Sequence, residues 1–338
     1  MFFSVSEVMS ISIHIQKKTA RHKTTRAVLC LAVLALFTLF SSRGEADNFP
    51  NKPVRLMVPF AAGSGTDLVA RAIQPYVEKP LGTRVIVENI PGADSRIGMG
   101  KLYKDRPDGY SIGIHGFPAP IINENLFEVA YKSAGFTFIY AWTMNPQLIF
   151  VAEDSWKTFD DFLVDARKKQ LTLGLPGYGT VSHLLALTLE KQLNVKFKFV
   201  PFSGSGEGLV ALAGRHIDAN IGSTDAALGM VRAKRIRPIL SWAFHPDANF
   251  PEVPISGKYN IPTIVMIRGV FGPPNLPPER VKVLEKAFAK AAAEPKLAEW
   301  AKGRGMDLVS LNAQQYRREV EKQLQLVKEY KDYLKTPQ

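Results

Sequence analysis

Cysteine is almost absent from this chain, because Cys30 is the only one among its 338 residues. A single thiol can form neither an internal disulfide framework nor a zinc site built from cysteines. The histidines His115, His216 and His245 show neither the i,i+4 spacing nor the cysteine pairing that is typical of metal sites. The sequence therefore predicts a fold without disulfides and without a metal site.

Long apolar runs are also missing, since the apolar residues 27–40 are fewer than the roughly 20 that cross a bilayer. Basic residues precede this run between positions 17 and 26, and small or turn-forming residues follow it up to Ala46. This order is typical of a secretory signal peptide. We therefore expect residues 1–46 to be a cleaved signal peptide and the protein to be periplasmic; a retained membrane anchor is the alternative.

After residue 46, charge of one sign is not concentrated in any part of the sequence. The 43 Lys and Arg residues exceed the 31 Asp and Glu residues, which gives a formal charge of +12. The basic residues are interleaved with acidic ones, as at Arg317, Arg318 and Glu319, whereas a nucleic-acid-binding surface gathers them in a stripe. We expect a folded protein of about two domains, with no nucleic acid among its partners.

Two segments, residues 54–88 and 171–201, share the order strand, glycine-rich turn, helix, strand. In each segment compact apolar runs flank the turn and an amphipathic pattern follows it, as in the unit of a parallel sheet. Further short apolar runs alternate with helical patterns along the rest of the chain. The sequence therefore predicts an α/β fold.

The two glycine-rich turns, residues 61–67 and 176–183, each connect a strand end to a helix start. Glycine lets the backbone approach a ligand closely, and the free N–H groups at a helix N-terminus attract anions. Such turns can bind a carboxylate or phosphate with backbone groups alone, although glycine also serves in ordinary tight turns. Two of them in separate halves of the chain are consistent with a small anion held between two domains.

Enzyme motifs are present only in part. Gly63, Gly65 and the later Glu88 resemble a dinucleotide fingerprint, but Leu68 occupies the third glycine position. Serines beside glycines, such as Ser205, do not stand at the centre of a G-x-S-x-G elbow. We therefore predict no enzyme and no cofactor, with a secreted hydrolase or dehydrogenase as the alternative, and we interpret His183 as a capping or pocket-lining residue.

Several ordered motifs carry a family resemblance: FPNKPVRLMVPFAAGSGTDLVARAI, VIVENIPGADSRIG, PDGYSIGI, the stretch from GYGTVSHLLALTLEKQ to DANIGS, and GVFGPPNLPPERVKVLEKAF. With these motifs the chain resembles the extracytoplasmic solute-binding receptors of the tripartite tricarboxylate transporter family, also called Bug proteins. The resemblance extends over essentially the whole chain after residue 46.

The resemblance implies a type II periplasmic-binding-protein fold, in which two α/β domains close around a ligand cleft. Domain 1 would comprise residues 47–149 and 269–338, and domain 2 would comprise residues 150–268. The two crossing strands would lie near residues 148–153 and 267–273.

The resemblance also implies a set of ligand-binding residues in the turns that face the cleft. From the first domain these are Phe60, Ala61, Ala62, Gly63, Ser64, Gly65, Thr66 and Asp67. From the second domain they are Gly177, Gly179, Thr180, Ser182, His183, Ser205, Ser223 and Asp225.

The chain departs from the family pattern where Asp94, Ser95 and Arg96 replace residues that are usually neutral. Arg96 is predicted to clamp a second carboxylate, or alternatively to face solvent or pair with Asp94. Phe117 is predicted to form an aromatic wall of the site, or alternatively to pack in the core. Asn123 matches the family pattern. The predicted ligand-binding residues are completed by Arg96, Phe117 and Asn123.

We therefore expect a receptor that captures a small organic carboxylate, with a dicarboxylate or an aromatic carboxylate favoured. The resemblance implies that it delivers this ligand to the membrane subunits of a tripartite transporter. A compatible alternative is that the liganded receptor signals to a sensor kinase. No catalytic residue is predicted.

Overall fold

The computed structural model describes residues 49–202, 204–247 and 249–335. The predicted signal peptide, residues 1–46, lies outside these residues. The strands are β1 (Val54–Val58), β2 (Val85–Asn89), β3 (Ser111–Phe117), β4 (Thr137–Asn145), β5 (Gln147–Ala152), β6 (Leu171–Leu175), β7 (Phe197–Pro201), β8 (Ala219–Ser223), β9 (Ile236–Ser241), β10 (Met266–Gly272) and β11 (Asp307–Asn312).

Helices alternate with the strands, as an α/β sequence predicts. They are α1 (Gly65–Leu81), α2 (Arg96–Lys104), α3 (Ala119–Leu126), α4 (Phe159–Lys168), α5 (Val181–Leu193), α6 (Ser205–Ala213), α7 (Thr224–Arg232), α8 (Pro278–Ala292), α9 (Pro295–Gly303), α10 (Ala313–Glu329) and α11 (Lys331–Lys335). In the part of the chain that the structure describes, no helix has the length and apolar character to cross a membrane.

The first sheet has six strands in the order β11-β4-β10-β3-β1-β2. β1 runs parallel to β2 and to β3, whereas β10 is antiparallel to both of its neighbours. Local signals set the helix between β1 and β2: Ser64 Oγ accepts a hydrogen bond from Asp67 N–H at the start of α1, and Gly82 ends the helix with φ 69°. The predicted strand-turn-helix-strand unit is thereby confirmed.

The second sheet has five strands in the order β7-β6-β8-β5-β9. β6 and β7 are parallel and flank α5, which confirms the second predicted unit. β5 runs antiparallel to β8 and β9. Helices connect parallel strands in both sheets, so the chain has the α/β architecture that the sequence predicts.

The chain passes between the two sheets twice within one compact unit that begins at Phe49. The first passage is at Pro146, because β4 ends at Asn145 in the first sheet and β5 begins at Gln147 in the second. The second passage lies between β9 and β10. Both passages precede the crossing segments expected from the sequence, since residues 148–153 belong to the second sheet and residues 267–273 to the first. The division into two domains stays a prediction.

The apolar core of the first sheet includes a cluster of aromatic rings around Phe117. Its ring packs edge-on against Phe138, Phe271 and Tyr316, with ring centroids 5.4, 5.5 and 6.1 Å away. Tyr316 comes from α10, whose buried residues are Tyr316, Val320, Gln323 and Val327. The helix therefore packs the C-terminal part of the chain onto the first sheet.

Candidate functional site

A cavity of about 210 Å³ lies between residues of the first sheet and residues of the second. Most of its lining residues have polar or charged side chains. They come from strand ends, helix starts and the passages between the sheets. The lining residues are Asp94, Ala119, Asn123, Asn145, Gln147, Pro176, Gly179, Thr180, Val181, Ser182, Ser205, Ser223, Asp225, Met266 and Arg268. The volume suits a small molecule, because pockets for drug-sized ligands start near 300 Å³.

Four helices start at this cavity. Ala119 is the first residue of α3, Val181 that of α5 and Ser205 that of α6, while Ser223 directly precedes α7. Within the described residues, the N-termini of α3, α6 and α7 have no side-chain cap. The first N–H groups of a helix have no intrahelical acceptor and carry partial positive charge. In α3 only the Ala119 N–H is of this kind, because Pro120 has no N–H and Ile121 N–H donates to Pro118 O. The arrangement favours an anionic group in the cavity.

The loop between β6 and α5 is held in shape by its own side chains. Thr180 caps α5 by accepting a hydrogen bond from His183 N–H at 3.2 Å, and it donates its hydroxyl to Gly177 O at 2.8 Å. Gly179 N–H donates to His183 Nδ1 at 3.1 Å. Gly179 and Thr180 line the cavity. Gly177 and His183 do not line it, and they accept hydrogen bonds from these two residues.

His183 is fully buried, and burial lowers its pKa to about 4. The imidazole is therefore neutral at pH 7, and Nδ1 is free to accept the Gly179 N–H. Ser182 Oγ donates to Gln147 Oε1 at 3.2 Å. The two adjacent residues thus have different partners. Thr180, and not His183, caps α5, and His183 does not line the cavity, so its interpretation as a capping or pocket-lining residue stays a prediction.

The loop between β1 and α1 does not line this cavity, although the sequence predicts that it receives the ligand. The carboxylate of Asp67 occupies the loop itself, because it accepts Gly63 N–H at 2.8 Å, Arg71 Nε at 3.0 Å and Asn89 Nδ2 at 2.9 Å. Burial opposes ionisation, but these hydrogen bonds hold the pKa of Asp67 below its ordinary value.

The other residues of this first loop are also placed away from the cavity lining. Ser64 caps α1, and the Phe60 ring packs edge-on against His115 at 5.0 Å. Ala61, Ala62, Gly63 and Gly65 form the turn around the Asp67 carboxylate, and Thr66 lies buried at the start of α1. A direct role of this loop in ligand binding stays a prediction.

Arg268 is a cavity-lining residue that the sequence analysis did not predict. It stands on β10, its side chain is 8% exposed, and it lines the cavity. Its Nη1 donates to Asn145 Oδ1 at 3.2 Å and its Nη2 lies 3.5 Å from Met266 Sδ, while Nε is buried without a partner in the described part of the chain. A lone arginine within the apolar run of residues 264–272 is the signal that could have identified it.

His115 stands on β3, the strand next to β10, and lies opposite Gly269, the residue that follows Arg268. Burial and then the charge of Arg268 lower the pKa of His115 to about 3. Its Nδ1 accepts the Gly116 N–H at 2.6 Å. The histidine is therefore neutral at pH 7, and the positive charge at this end of the cavity belongs to Arg268.

Asp94 lies in an unusual turn before α2. Three successive residues, Ala93, Asp94 and Ser95, have left-handed φ values of 47°, 48° and 73°. Non-glycine residues seldom adopt this conformation, and a run of three is strained. Asn123 Nδ2 donates to Asp94 O at 2.8 Å and holds the turn against α3.

Two predicted site residues are placed elsewhere. The Arg96 guanidinium lies over the Phe127 ring at 3.9 Å and its Nε donates to Ala93 O, so it borders an outer groove and not the cavity. Phe117 is fully buried in the aromatic core. Its packing there agrees with the alternative that the sequence left open, and it does not form an aromatic wall of this cavity.

The structure therefore brings part of the predicted set together. The predicted residues that line the cavity are Asn123, Gly179, Thr180, Ser182, Ser205, Ser223 and Asp225. The lining residues outside the predicted set include Asn145, Gln147 and Met266, which flank the passages between the sheets. Ligand binding by any of them stays a proposal.

Comparison with known proteins gives a consistent result. A sequence profile described as the tripartite tricarboxylate transporter family receptor matches residues 69–331. The UPF0065 protein in the gbd 5′ region of Cupriavidus necator is 29% identical over 312 residues, which cover 88% of this chain and 92% of that protein.

Solved structures agree with the sequence comparison. A TctC solute-binding protein from Polaromonas superposes with a TM-score of 0.76 and 27% identity, covering 83% of this chain and 99% of its own. MatC from Rhodopseudomonas palustris, solved with bound malate, gives a TM-score of 0.65 and 26% identity over 82% of this chain and 100% of its own.

Proposed function

The chain belongs to the receptor family of the tripartite tricarboxylate transporters, and from that premise we propose that it captures a small organic carboxylate and delivers it to the membrane subunits of such a transporter. Members of this family are periplasmic solute-binding receptors. The ligand would bind in the cavity between the two sheets, and no chemistry would be performed on it.

The observation that carries the proposal is the convergence of uncapped helix N-termini on one cavity. α3 belongs to the first sheet's side of the cavity, whereas α6 and α7 belong to the second. A carboxylate between them accepts N–H groups from both sides, so binding favours the closed arrangement. The relative solved with malate supports a small carboxylate as the ligand class.

The narrower expectation of a dicarboxylate or an aromatic carboxylate depended on Arg96 and Phe117. Neither residue lines the cavity. The proposal is therefore for a small carboxylate, without a restriction to those two classes.

Calorimetric titration of the purified chain tests the proposal. The ligands are malate, succinate, glutarate, 4-aminobutanoate and benzoate, and the neutral diamide of succinate serves as control. We expect at least one carboxylate to bind with a Kd well below about 1 mM, and the diamide not to bind. Absence of binding by every carboxylate up to that concentration would contradict the proposal.

Delivery to a membrane transporter needs a second measurement. Uptake of the labelled ligand is compared between a strain that carries the gene and a deletion strain. We expect the deletion to abolish uptake and the restored gene to recover it. Undiminished uptake with lost induction of the transport genes would instead support the sensor-kinase alternative, which no observation on the described residues favours.

A further inference from the structure

The cavity of the proposed receptor carries charges of both signs. Among the described residues that line it, Arg268 is the one cation, and Asp94 and Asp225 are the two anions. No ion pair within 4 Å joins Arg268 to either acid in the described chain. Burial lowers the pKa of Arg268, and the charge of Asp225 opposes this effect. Arg268 and Asp94 are therefore a positive and a negative group that form no ion pair with each other.

The positive group is prepared for an anion. Arg268 is more than nine-tenths buried, and its Nε has no acceptor, although a buried donor without a partner is costly. The two contacts of its terminal nitrogens are to a neutral amide oxygen and a thioether sulfur. A ligand carboxylate would supply the charged acceptor that the described protein groups do not.

The neighbourhood of Arg268 adds no second cation at neutral pH. His115 is buried beside it and is neutral. The uncapped N-termini of α3, α6 and α7 contribute partial positive charge at the cavity. These groups suit one carboxylate end of a small molecule.

The negative group belongs to an exposed residue in a strained turn. Asp94 lines the cavity from the left-handed turn of residues 93–95, and Asn123 fixes that turn through the Asp94 carbonyl. An ionised aspartate only accepts hydrogen bonds, so a second carboxylate on the ligand has nothing to donate to it. An ammonium group donates three hydrogen bonds and carries the complementary charge.

We infer that the ligand is amphoteric: its carboxylate binds Arg268 and the uncapped helix N-termini, and a cationic nitrogen at its other end binds Asp94. This inference rests on the proposed function and narrows its ligand class. Asp225 is a weaker candidate for the same role, because it also borders an outer groove that contains Arg232 and Arg304. Asp94 is therefore the position that should discriminate between ligands.

Matched pairs of ligands test the inference. Glutarate and 4-aminobutanoate have the same spacing and differ in one end, a carboxylate or an ammonium group; succinate and 3-aminopropanoate form a shorter pair. In calorimetry at neutral pH and low salt, we expect the amino acid of at least one pair to bind about tenfold more tightly than its dicarboxylate, the size of one charge-assisted hydrogen bond.

Variants assign the preference to the two ends of the site. Asp94→Asn should remove the advantage of the amino acid, and Asp94→Lys should reverse it in favour of the dicarboxylate. Arg268→Gln should weaken both members of a pair. Glu299→Gln, at an exposed carboxyl on α9, is the matched control, and it should change the affinity for neither member of a ligand pair. Circular dichroism establishes that each variant is folded.

The outcomes separate the inference from the proposed function. If dicarboxylates bind the wild-type chain as tightly as the amino acids, or if other acids bind and neither amino acid does, the inference is wrong and the carboxylate receptor stands. An advantage that survives Asp94→Asn also overturns it. If no acid of either panel binds, both are overturned.

Discussion

Gly179 shows how a single residue shapes the candidate site. Its φ of 69° is left-handed, and a Cβ built on it would lie 2.6 Å from Leu126 Cδ1 on α3. Gly63 in the first loop has a φ of 83°, but a Cβ there would meet no atom within 4 Å. The two glycines therefore impose a similar backbone requirement in different surroundings.

We expect Gly179→Val to weaken carboxylate binding by about tenfold or more, because the added side chain would collide with Leu126 of α3 at the cavity. Gly63→Val strains the backbone in the same way without touching the cavity, so its affinity should stay close to that of the wild type. Calorimetry on both variants checks this. Equal losses would show that the second loop has no special role in binding.

For individual residues, the sequence predicted the loop residues of the cavity better than its charged residue Arg268. Thr180 and Ser182 could be recognised because glycine and hydroxyl residues mark the start of a helix, whereas Ser223 was implied by the family resemblance. Arg268 could not be recognised in the same way, because its role depends on β10 lying between β3 and β4. That strand order joins segments distant in sequence.

Helices and strands differ in how clearly the sequence marks them. The units at residues 54–88 and 171–201 were predictable because glycine and proline separate their elements. β4 is harder to recognise, since only Pro146 separates it from β5 and the two strands form one nearly continuous apolar stretch. Nothing local in that stretch indicates that its halves belong to different sheets.

The last long helix depends on a local signal that can be tested. Asn312 Oδ1 accepts a hydrogen bond from Gln315 N–H, and Gln315 Oε1 accepts one from Asn312 N–H, which together form a capping box at the start of α10. Near the other end, Glu329 pairs with Lys191 of α5 at 2.7 Å. α10 therefore joins the first sheet to a helix that flanks the second.

We expect Asn312→Ala to lower the free energy of unfolding by about 1 kcal/mol, the usual value of an N-cap side chain. Gln314→Ala, an exposed change in the same helical turn, should stay within about 0.5 kcal/mol of the wild type. Urea unfolding followed by circular dichroism measures both. Indistinguishable variants would mean that the box does not stabilise α10.

For the whole molecule, the type II periplasmic-binding-protein fold expected from the motifs is confirmed by the solved relatives. Motifs spread over most of the chain could predict it because they follow strand ends in both sheets. The points where the chain changes sheets were less accessible, since they depend on pairing partners and not on local composition.

The pH dependence of stability reflects buried groups from both parts of the molecule. Burial, assisted at His115 by Arg268, lowers the pKa of His115 to about 3 and of His183 to about 4. Below about pH 6.5 the unfolded chain therefore binds more protons at these two histidines than the folded chain does, by up to two. The free energy of unfolding consequently decreases as the pH is lowered. Asp307 acts oppositely, because burial and then the charge of Asp247 raise its pKa to about 6.

We expect the free energy of unfolding to fall by about one proton equivalent, roughly 1.4 kcal/mol, per pH unit between pH 6 and 4.5. Asp307→Asn removes the opposing group and should raise the slope to about two protons. His216→Gln, at an exposed histidine, should leave it unchanged. Chemical unfolding at several pH values measures the slopes, and a flat profile would contradict the assignment of neutral buried histidines.

The passage at Pro146 has a consequence for how such receptors diverge. Asn145, Gln147 and Arg268 line the cavity from strands at the passages, whereas Asp94 and Ser205 line it from a turn and a helix start. Substitutions in that turn or at that helix start would alter the cavity lining and leave the strands that pass between the two sheets unchanged. Related receptors could in this way differ in ligand and keep one backbone framework.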